Sequence, residues 1–366
     1  MRITSISFQN FRNLENATLN FDTNLNLITG LNASGKTSIL EALYYLTTGR
    51  SFRSRKVDNI ITKDIDAKDF TLFGIIENEV GSSNHEKNRI GIKKTTDKNT
   101  HIRINGLNIN AASSLAKLSP MLIIDPSSFD LFNGASKFRR QFMDWGVFHV
   151  EHSFSKLWND YLFCLKQRNT LLRNAKINDL QFNIWEQKLS EIGTVVHLRR
   201  KKYADSFIQE LISLCKIFSL DEELTISYVR GWDQKSELFD ILKNSRHKDL
   251  VRKFTQYGPH RADIRIDAKG KPVVESLSRG QQKLLVLAMY IANIKCLMKI
   301  KNENTIVLID DITAELDRNN LKEIFKCLES LNTQIILSSL DSEIVKENLF
   351  SGKCNMFHVE HGKINI

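Results

Sequence analysis

Residues 25–40 decide the fold, and they read LNLITGLNASGKTSIL. The apolar run Leu25–Thr29 predicts a buried strand, and apolar residues such as Ile39 and Leu43 recur at helical spacing after it. Between the strand and the helix, residues 30–37 fit the pattern G-x-x-x-x-G-K-[ST]. The order of strand, glycine loop and helix is the context that this pattern requires, and it indicates an α/β fold.

The glycine loop has the chemistry of a phosphate site. Its glycines let consecutive backbone amides turn inward, and the helix N-terminus adds partial positive charge. In this interpretation Lys36 reaches the β- and γ-phosphates of ATP, and the Thr37 hydroxyl binds Mg²⁺. The alternative is an ordinary glycine turn that caps a helix. The candidate nucleotide contacts are Gly30, Leu31, Asn32, Ala33, Ser34, Gly35, Lys36, Thr37 and Ser38.

A second apolar strand ends in two acids, Asp310 and Asp311. Open α/β sheets bind ligands at the carboxyl ends of their strands. We therefore expect Asp310 to hold Mg²⁺ together with Thr37, and Asp311 to orient or deprotonate the attacking water. Lys36, Asp310 and Asp311 are the candidate catalytic residues. The alternative is a buried strand followed by an Asp-rich helix cap.

Most of the chain separates Lys36 from Asp310. That separation is too long for a small single-sheet nucleotide switch, whereas ABC-type ATPases carry an insertion between the two halves of their site. The pattern in the middle of the chain is mostly helical, and strands alternate with helices on both sides of it. We predict an α/β fold without a long coiled coil. An ABC-type P-loop NTPase lobe, residues 1–122 and 252–366, holds an inserted, mainly helical second lobe, residues 123–251.

Residues 277–282 read LSRGQQ and precede a strongly apolar helix. A serine and a glycine at a helix start expose groups that bind phosphate oxygens. Ser278, Gly280 and Gln281 resemble the ABC signature, which in that class contacts the γ-phosphate held by the other subunit of a dimer. Asp317 stands at the place of the D-loop, which crosses the dimer interface. The alternative is a core helix with an ordinary N-cap.

The chain carries 52 Lys and Arg against 42 Asp and Glu, a formal net charge of +10. This excess attracts polyanions, with nucleic acid the first candidate and a membrane surface the second, while a solvated basic surface without a partner is the alternative. The five cysteines are scattered, which argues against a disulfide framework or a zinc site and fits a reducing compartment. No apolar run approaches the length of a membrane span. We expect a cytoplasmic protein without a membrane partner.

Two basic clusters are the candidate DNA contacts. One follows the first helix, and the other is the densest basic run of the helical region. The alternative for each is a solvated face without a partner. The candidates are Arg50, Arg53, Arg55, Lys56, Arg199, Arg200, Lys201 and Lys202.

Several longer motifs resemble the RecF family of ABC-type ATPases. Residues 8–14 read FQNFRNL, and residues 49–53 read GRSFR. Residues 137–149 (KFRRQFMDWGVFH), residues 258–263 (GPHRAD) and the Leu-Ser-Arg-Gly-Gln form of the signature complete the resemblance. These motifs extend over almost the whole chain.

The resemblance implies an ATP-dependent homodimer that binds double-stranded DNA at single-strand gaps and junctions. It implies ATP and Mg²⁺ as ligands, RecR and RecO as partners, and the loading of RecA in recombinational repair, replication and the SOS response. It further implies a weak, DNA-stimulated ATPase whose slow turnover releases DNA. The location implied is cytoplasmic and nucleoid-associated.

The sequence departs from the general ABC pattern in three ways. Leu122 stands where many ABC proteins place a glutamine that senses magnesium. Ser338 and Ser339 end a strand where transport ATPases carry a switch histidine, and Asp311 is one methylene shorter than their usual glutamate. The last two differences favour slow hydrolysis. The alternative functions are an ABC transporter ATPase subunit, an SMC-type head, and a DNA-binding scaffold with a vestigial nucleotide site.

Overall fold

The structure, a computed structural model, describes the chain apart from residues 22–23, 55, 64–66, 81–83, 98, 175–178, 221–222, 313–315, 332, 341–352 and 366, and apart from the side chains of residues 79–80 and 84–85. The chain divides into two compact units. The first comprises Met1–Phe129 and Leu297–Ile366, and the second is Asp130–Cys296.

The secondary structure alternates strands and helices at both ends of the chain and is helical in between. The strands are Arg2–Gln9 (β1), Ala17–Asn20 (β2), Leu25–Thr29 (β3), Asp69–Val80 (β4), Asn84–Thr95 (β5), Thr100–Ile104 (β6), Leu107–Ile109 (β7), Met121–Ile124 (β8), Leu224–Val229 (β9), Asp263–Ala268 (β10), Lys271–Pro272 (β11), Ile306–Asp310 (β12), Ile335–Ser339 (β13), Cys354–Glu360 (β14) and Lys363–Asn365 (β15). The α-helices are Lys36–Thr48 (α1), Ser113–Leu118 (α2), Ser136–Val150 (α3), Phe154–Asn174 (α4), Asp179–Ile217 (α5), Leu238–Asn244 (α6), Arg246–Arg252 (α7), Val273–Ser276 (α8), Arg279–Lys301 (α9) and Arg318–Glu329 (α10). Short 3₁₀ turns lie at Val57–Asn59, Pro126–Leu131 and Pro259–Arg261.

A six-stranded sheet of the first unit has the order β15-β14-β3-β13-β12-β8. All of its pairings are parallel except that of β15 with β14. The register places Asp310 beside Ser338 and Ser339 beside Thr29. The carboxyl ends of β12, β13 and β3 therefore meet at one edge, and the glycine loop leaves β3 at that edge.

A second six-stranded sheet of this unit, in the order β2-β1-β4-β5-β6-β7, is antiparallel throughout. The helix α1 packs against strands of both sheets, and its Leu40 and Leu43 are fully buried. A side chain at Gly74 of β4 would begin 2.2 Å from the Leu46 Cδ2 atom, so this glycine makes room for α1. Burial of each leucine contributes about 1.5–3 kcal/mol. The helix that follows the glycine loop is thus held by the main core of the unit.

The second unit is built around α4 and α5, which pack side by side as an antiparallel pair. The Arg168 guanidinium donates to Glu186 at 3.0 Å and to Asp249 at 2.7 Å, and all three side chains are fully buried. A buried cation is stable only when its donors are satisfied in this way. Because α5 of 39 residues packs within its own unit, the described chain has no long coiled coil, as predicted.

The strands β9, β10 and β11 form a small antiparallel sheet in the second unit. Arg139 of α3 makes a bidentate pair with Asp263 of β10, at 2.9 and 2.8 Å. Tyr203 of α5 donates to Asn293 of α9 at 2.5 Å. Through these contacts residues 252–296 group with the helical unit, whereas the sequence-based division had assigned them to the nucleotide-binding lobe.

The predicted fold class is confirmed, and most predicted elements occur with small shifts. The strand Leu25–Thr29 has the predicted bounds. The helical middle of the chain that the sequence predicts contains the helices Phe154–Asn174 and Asp179–Ile217. Among the helices in the described parts of the chain, none is long and apolar enough to cross a membrane.

Candidate nucleotide-binding site

The loop between β3 and α1 has a backbone that only small residues can follow. Gly30 has φ 150° and Gly35 has φ 126°, values that L side chains rarely adopt. A Cβ atom at Gly30 would lie 2.2 Å from the Val359 carbonyl oxygen, and one at Gly35 would lie 2.8 Å from Leu14 Cδ2. Both glycines of the sequence pattern are therefore required by geometry as well as by ligand chemistry.

Asn13 holds the loop from one side. Its amide donates to the Ala33 carbonyl at 3.1 Å, and its carbonyl accepts from the Ser38 hydroxyl at 2.8 Å. From the β14–β15 turn, the Gly362 amide donates to the Ser34 carbonyl at 2.9 Å. These bonds fix the loop between its first turn and the start of α1, so the candidate contacts at residues 30–38 are preorganised.

Lys36 lies inside the loop. Its ammonium donates to the Gly30 carbonyl at 2.6 Å and to the Leu31 carbonyl at 2.9 Å. Burial lowers the pKa of Lys36, and the charges of Asp311 and Asp310 partly oppose that shift. The ammonium is thus a largely desolvated cation whose present partners are neutral carbonyls, which an anionic phosphate oxygen would replace favourably.

Thr37, Asp310 and Ser338 meet at the carboxyl edge of the parallel sheet. The Thr37 hydroxyl donates to an Asp310 carboxylate oxygen at 3.1 Å, and the Ser338 hydroxyl donates to the same oxygen at 2.6 Å. Burial raises the pKa of Asp310, these two hydrogen bonds lower it, and the charges of Asp311 and Asp125 raise it. Residues from three distant parts of the sequence therefore form one oxygen-rich cluster.

Asp311 follows with a left-handed backbone, φ 50°, and its amide donates to the Ser338 hydroxyl at 3.1 Å. One oxygen of its carboxylate is buried and has no hydrogen-bond partner among the described residues. Hydroxyl and carboxylate oxygens are the donors that Mg²⁺ prefers in nucleotide sites. The donor set therefore fits Mg²⁺, which Thr37 and Asp310 would hold, and one buried oxygen of Asp311 is left without a partner among the described residues.

The signature residues lie in the second unit, at the start of α9. The Gln281 side chain accepts from the Ser278 amide at 2.9 Å, and the Gln281 amide donates to the Ser278 hydroxyl at 3.3 Å. This reciprocal pair is a capping box. Gly280 is exposed, and a Cβ atom there would meet nothing within 4 Å. Packing within the chain explains Ser278 and Gln281, but it does not explain the glycine.

Asp317 is the N-cap of α10. Its carboxylate accepts from the amides of Asn319 and Asn320, both at 3.0 Å, and the hydrogen bond from Asn320 is the largest cause of its lowered pKa. The preceding D-loop residues Ala314 and Glu315 lie outside the described part of the chain. The local geometry thus assigns Asp317 a helix-capping role, and its place at a dimer interface stays a prediction.

The first basic cluster surrounds a buried acid of α1. The fully buried Glu41 makes a bidentate pair with Arg12 at 2.8 and 2.7 Å and lies 3.7 Å from Arg53. Arg50 and Lys56 are exposed, whereas Arg55 lies outside the described residues. Arg53 is therefore partly structural, and Arg50 and Lys56 present their charges to solvent.

The second basic cluster is mostly paired. Arg200 is fully buried, makes a bidentate pair with Asp144 at 2.8 Å, and lies over the Trp158 ring. It has no surface to offer a DNA phosphate, and its assignment as a DNA contact is therefore withdrawn. The neighbouring side chains of Arg199, Lys201 and Lys202 are exposed. Arg199 forms an ion pair with Glu151, and Lys201 forms one with Asp205 at 2.9 Å.

Sequence reasoning missed three residues of the site. Asn13 belongs to the motif at residues 8–14 but has no role in the sequence analysis, Glu41 directly follows the phosphate-loop stretch, and Ser338 is only a departure from the transport pattern. Their roles depend on partners far away along the chain. The available signal was that each is a polar residue in an otherwise apolar or glycine-rich setting, which usually requires a hydrogen-bond partner.

A family model described as RecF/RecN/SMC N terminal domain matches residues 2–365. The chain is 37% identical to the DNA replication and repair protein RecF of Shewanella woodyi, with alignment over 100% of this chain and 98% of that relative. The chain belongs to the RecF family. A second relative of the same name, from Edwardsiella ictaluri, is 36% identical over 100% of both chains.

Solved structures extend this likeness to three dimensions. A structure described as the recombination mediator protein RecF-ATP in the RecFOR pathway superimposes with a TM-score of 0.84 at 25% identity, covering 99% of this chain and 96% of that chain. A SmcHead structure bound to a domain of ScpA reaches a TM-score of 0.60 at 16% identity, covering 100% and 96%. The RecF family therefore accounts for the fold of the whole chain, while the likeness to the SMC head concerns the fold alone.

Proposed function

We propose that the chain is an ATP-dependent DNA-binding protein of recombinational repair. The observation that carries this proposal is the 3.1 Å contact between Thr37 and Asp310, made beside a lysine whose ammonium lies inside the glycine loop. Full-length similarity to proteins named DNA replication and repair protein RecF supports it, as does the likeness to a structure named RecF-ATP.

The nucleotide site is proposed to bind and slowly hydrolyse ATP. Lys36 exchanges its two carbonyl partners for oxygens of the β- and γ-phosphates, while Thr37 and Asp310 hold Mg²⁺. A Mg²⁺ ion held by these two residues would supply positive charge against the charge that develops on the phosphates. Asp311 orients the attacking water and accepts its proton, and the buried carboxylate oxygen that has no partner among the described residues supports this role. Its short side chain reaches less far than a glutamate, so a weak ATPase, stimulated by DNA, is expected.

The active form is proposed to be an ATP-dependent homodimer. Ser278, Gly280 and Gln281 of one chain contact the γ-phosphate held by the loop of the other, and Asp317 lies close to the interface. The open space at Gly280 supports this assignment, because the fold itself does not require a glycine there. As functional divisions, the nucleotide-binding lobe is proposed as residues 1–122 and 252–366 and the helical lobe as residues 123–251, although residues 252–296 pack with the helical unit.

The dimer is proposed to bind double-stranded DNA at gaps and junctions, to act with RecR and RecO, and to help load RecA in the cytoplasm at the nucleoid. The formal net charge of +10 supports phosphate contacts that are independent of sequence and sensitive to salt. The DNA candidates retained are Arg50, Arg53, Arg55, Lys56, Arg199, Lys201 and Lys202.

The test is binding of a fluorescent gapped duplex, followed by anisotropy with ATP, with ADP and without nucleotide. Tight binding only with ATP, weakening steeply with salt, is the expected result. Equal binding in all three states would contradict ATP control of the DNA site. Binding in none of them would remove DNA as the ligand and return the transporter-subunit alternative to consideration.

A further inference from the structure

On the outer face of the antiparallel sheet, a glycine of β5 lies between larger side chains of the two neighbouring strands. Leu72, Ile92 and Ile102 point inward from adjacent strands and are buried in the core. Their chain neighbours Phe73, Gly91 and Arg103 lie opposite one another on β4, β5 and β6 and face the other way. The phenyl ring and the guanidinium therefore flank a strand position that has no side chain.

Packing does not explain Gly91. A Cβ atom there would meet nothing within 4 Å, in contrast to Gly74, where Leu46 fills the space. The φ of Gly91 is not in the left-handed region, so the backbone does not require glycine either. A glycine inside a strand weakens it, and such a residue often marks a place where a ligand approaches the backbone.

Phe73 is the aromatic wall of this space. It lies directly opposite Gly91 on β4 and keeps 42% of its surface exposed. An aromatic ring flanking an open strand position is the geometry on which an unpaired base stacks. A paired base inside a duplex does not offer its face in this way.

Basic side chains surround the open position. Arg89 and Lys93 lie two residues before and after Gly91 on the same face of β5, and His101 lies opposite Lys93 on β6. Lys93 pairs with Asp69 at 3.1 Å, and Arg103 donates to Asn108 at 3.0 Å. Arg89 and His101 have no ion-pair partner among the described side chains. Arg89 and Arg103 thus leave positive charge on this face that no acidic side chain among the described residues neutralises.

We propose that this surface binds single-stranded DNA. We call it the Gly91 notch and define it by Phe73, Arg89, Gly91, Lys93 and Arg103. One base lies over Gly91 against the Phe73 ring, and the neighbouring phosphates lie on Arg89, Lys93 and Arg103. The proposal rests on the proposed function in taking DNA as the nucleic acid, but it needs neither ATP nor the dimer.

The test measures anisotropy of a labelled oligothymidylate of about 15 nucleotides with the full chain in the absence of nucleotide. Phe73→Ala is expected to weaken binding about tenfold, and Phe73→Trp to restore it. Gly91→Val is expected to weaken binding to a similar extent while leaving the Tm unchanged or higher, since a β-branched residue suits a strand with free space. That combination separates loss of a ligand site from loss of folding.

Two control variants distinguish binding at this site from non-specific attraction of DNA to the basic protein. Leu107→Ala removes an exposed apolar side chain elsewhere on the same sheet, and Arg265→Gln removes an exposed charge from the second unit. Both are expected to bind like the wild type, whereas Arg103→Gln weakens binding and reduces its salt dependence.

An abasic oligonucleotide of the same length tests the stacking directly. It keeps the phosphates, so Phe73→Ala and the wild type are expected to bind it equally. The proposal is overturned if Phe73→Ala and Gly91→Val bind the normal oligonucleotide like the wild type, or if Phe73→Ala weakens the abasic and normal oligonucleotides equally. Failure of ATP-dependent binding to the gapped duplex would instead contradict the proposed function and leave these measurements unaffected.

Discussion

At the residue scale, Asp311 combines two features that rarely occur together. Its backbone lies in the left-handed region, and a buried oxygen of its carboxylate has no partner among the described residues. Both features cost free energy in the folded chain, by about 1 kcal/mol or more each. Because Asp311 lies next to Asp310 and carries both of these free-energy costs, it is a candidate catalytic residue.

Asp311→Asn should abolish turnover without preventing ATP binding. The amide keeps the shape of the side chain but cannot accept a proton from water, and loss of a general base lowers kcat by about 10²–10⁴-fold. Phosphate release under single-turnover conditions and binding of a fluorescent ATP analogue would be measured together. Wild-type turnover by this variant would remove Asp311 from the proposed role, and Asp240→Asn on α6 is the control.

Much of this site was predictable from local sequence. Lys36 and Thr37 follow from one contiguous pattern, and Asp310 follows from an apolar strand ending in acid. Asn13 and Ser338 were not predictable in the same way, because each acts through hydrogen bonds to residues far along the chain. A single sequence contains the donor and the acceptor but does not show that they meet.

At the element scale, different residues at the start of α9 serve the stability of the helix and the proposed binding of the nucleotide. The capping box of Ser278 and Gln281 stabilises the helix, whereas Gly280 lies in open space. Gly280→Asp should therefore leave the Tm unchanged or slightly higher, because an acid in the first turn of a helix interacts favourably with the dipole, by about 0.3–1 kcal/mol.

The same variant should lose the ATP-dependent dimer, since its carboxylate would face the γ-phosphate of the partner chain. Light scattering with and without ATP would measure this loss. Leu180→Asp is the matched control, because it places an acid in the exposed first turn of α5. If Gly280→Asp still dimerises on ATP, the signature assignment fails.

In the basic run of α5, residues 199–202, the sequence alone did not predict which side chain is buried. Arg200 falls on the same stripe as the buried Val196, Tyr203 and Phe207, at the spacing of a helix face. This helical spacing can be read from the sequence, but the four consecutive basic residues indicate a solvent-exposed helix face. Only the structure shows Asp144 and the Trp158 ring beneath this stripe, which convert a charge run into a core ion pair.

Arg200→Met should destabilise the second unit strongly. It leaves the partly buried Asp144 without its cation, a change that typically costs about 3–5 kcal/mol. Lys202→Met, on the exposed side of the same helix, should change stability by less than about 0.5 kcal/mol. Thermal unfolding of both variants checks the contrast. Equal Tm values would mean that the Arg200–Asp144 pair does not contribute to the fold.

At the scale of the whole molecule, three imidazoles make the protein sensitive to acid. Burial lowers the pKa of His149 to about 3 and the pKa values of His197 and His260 to about 4. The unfolded chain takes up these protons near pH 6.5, whereas the folded chain does not. Stability is therefore complete above pH 6.5 and falls as the pH drops toward 4, by about 1.4 kcal/mol per pH unit for each of His149 and His260, and by less for the half-exposed His197, whose charge solvent screens.

His149→Phe should flatten the dependence of Tm on pH between 6.5 and 5. The ring lies between Trp145 and Phe148, and its Nδ1 atom has no partner among the described residues, so an apolar ring loses no hydrogen bond. His247→Phe, at an exposed position, is the control and should keep the wild-type slope. An unchanged slope in His149→Phe would mean that this imidazole is protonated in the folded protein.

The last prediction concerns the dimer as a whole. In a two-fold symmetric sandwich, each nucleotide site combines the loop of one chain with the signature of the other. Lys36→Ala and Gly280→Asp should each be inactive alone. In a mixed dimer, however, the intact loop of the Gly280→Asp chain meets the intact signature of the Lys36→Ala chain, so one of the two sites is whole.

Mixing the two inactive variants should therefore restore ATP hydrolysis, to at most about half of the wild-type rate, because each mixed dimer has one working site out of two. Phosphate release would be followed across mixing ratios, with a maximum expected at equal amounts. A site completed within one chain predicts no recovery at any ratio. Recovery on mixing would instead mean that ATP is held between two copies of the chain, and a mixture of Lys36→Ala with Asp311→Asn, which leaves each loop site without a needed group, should stay inactive.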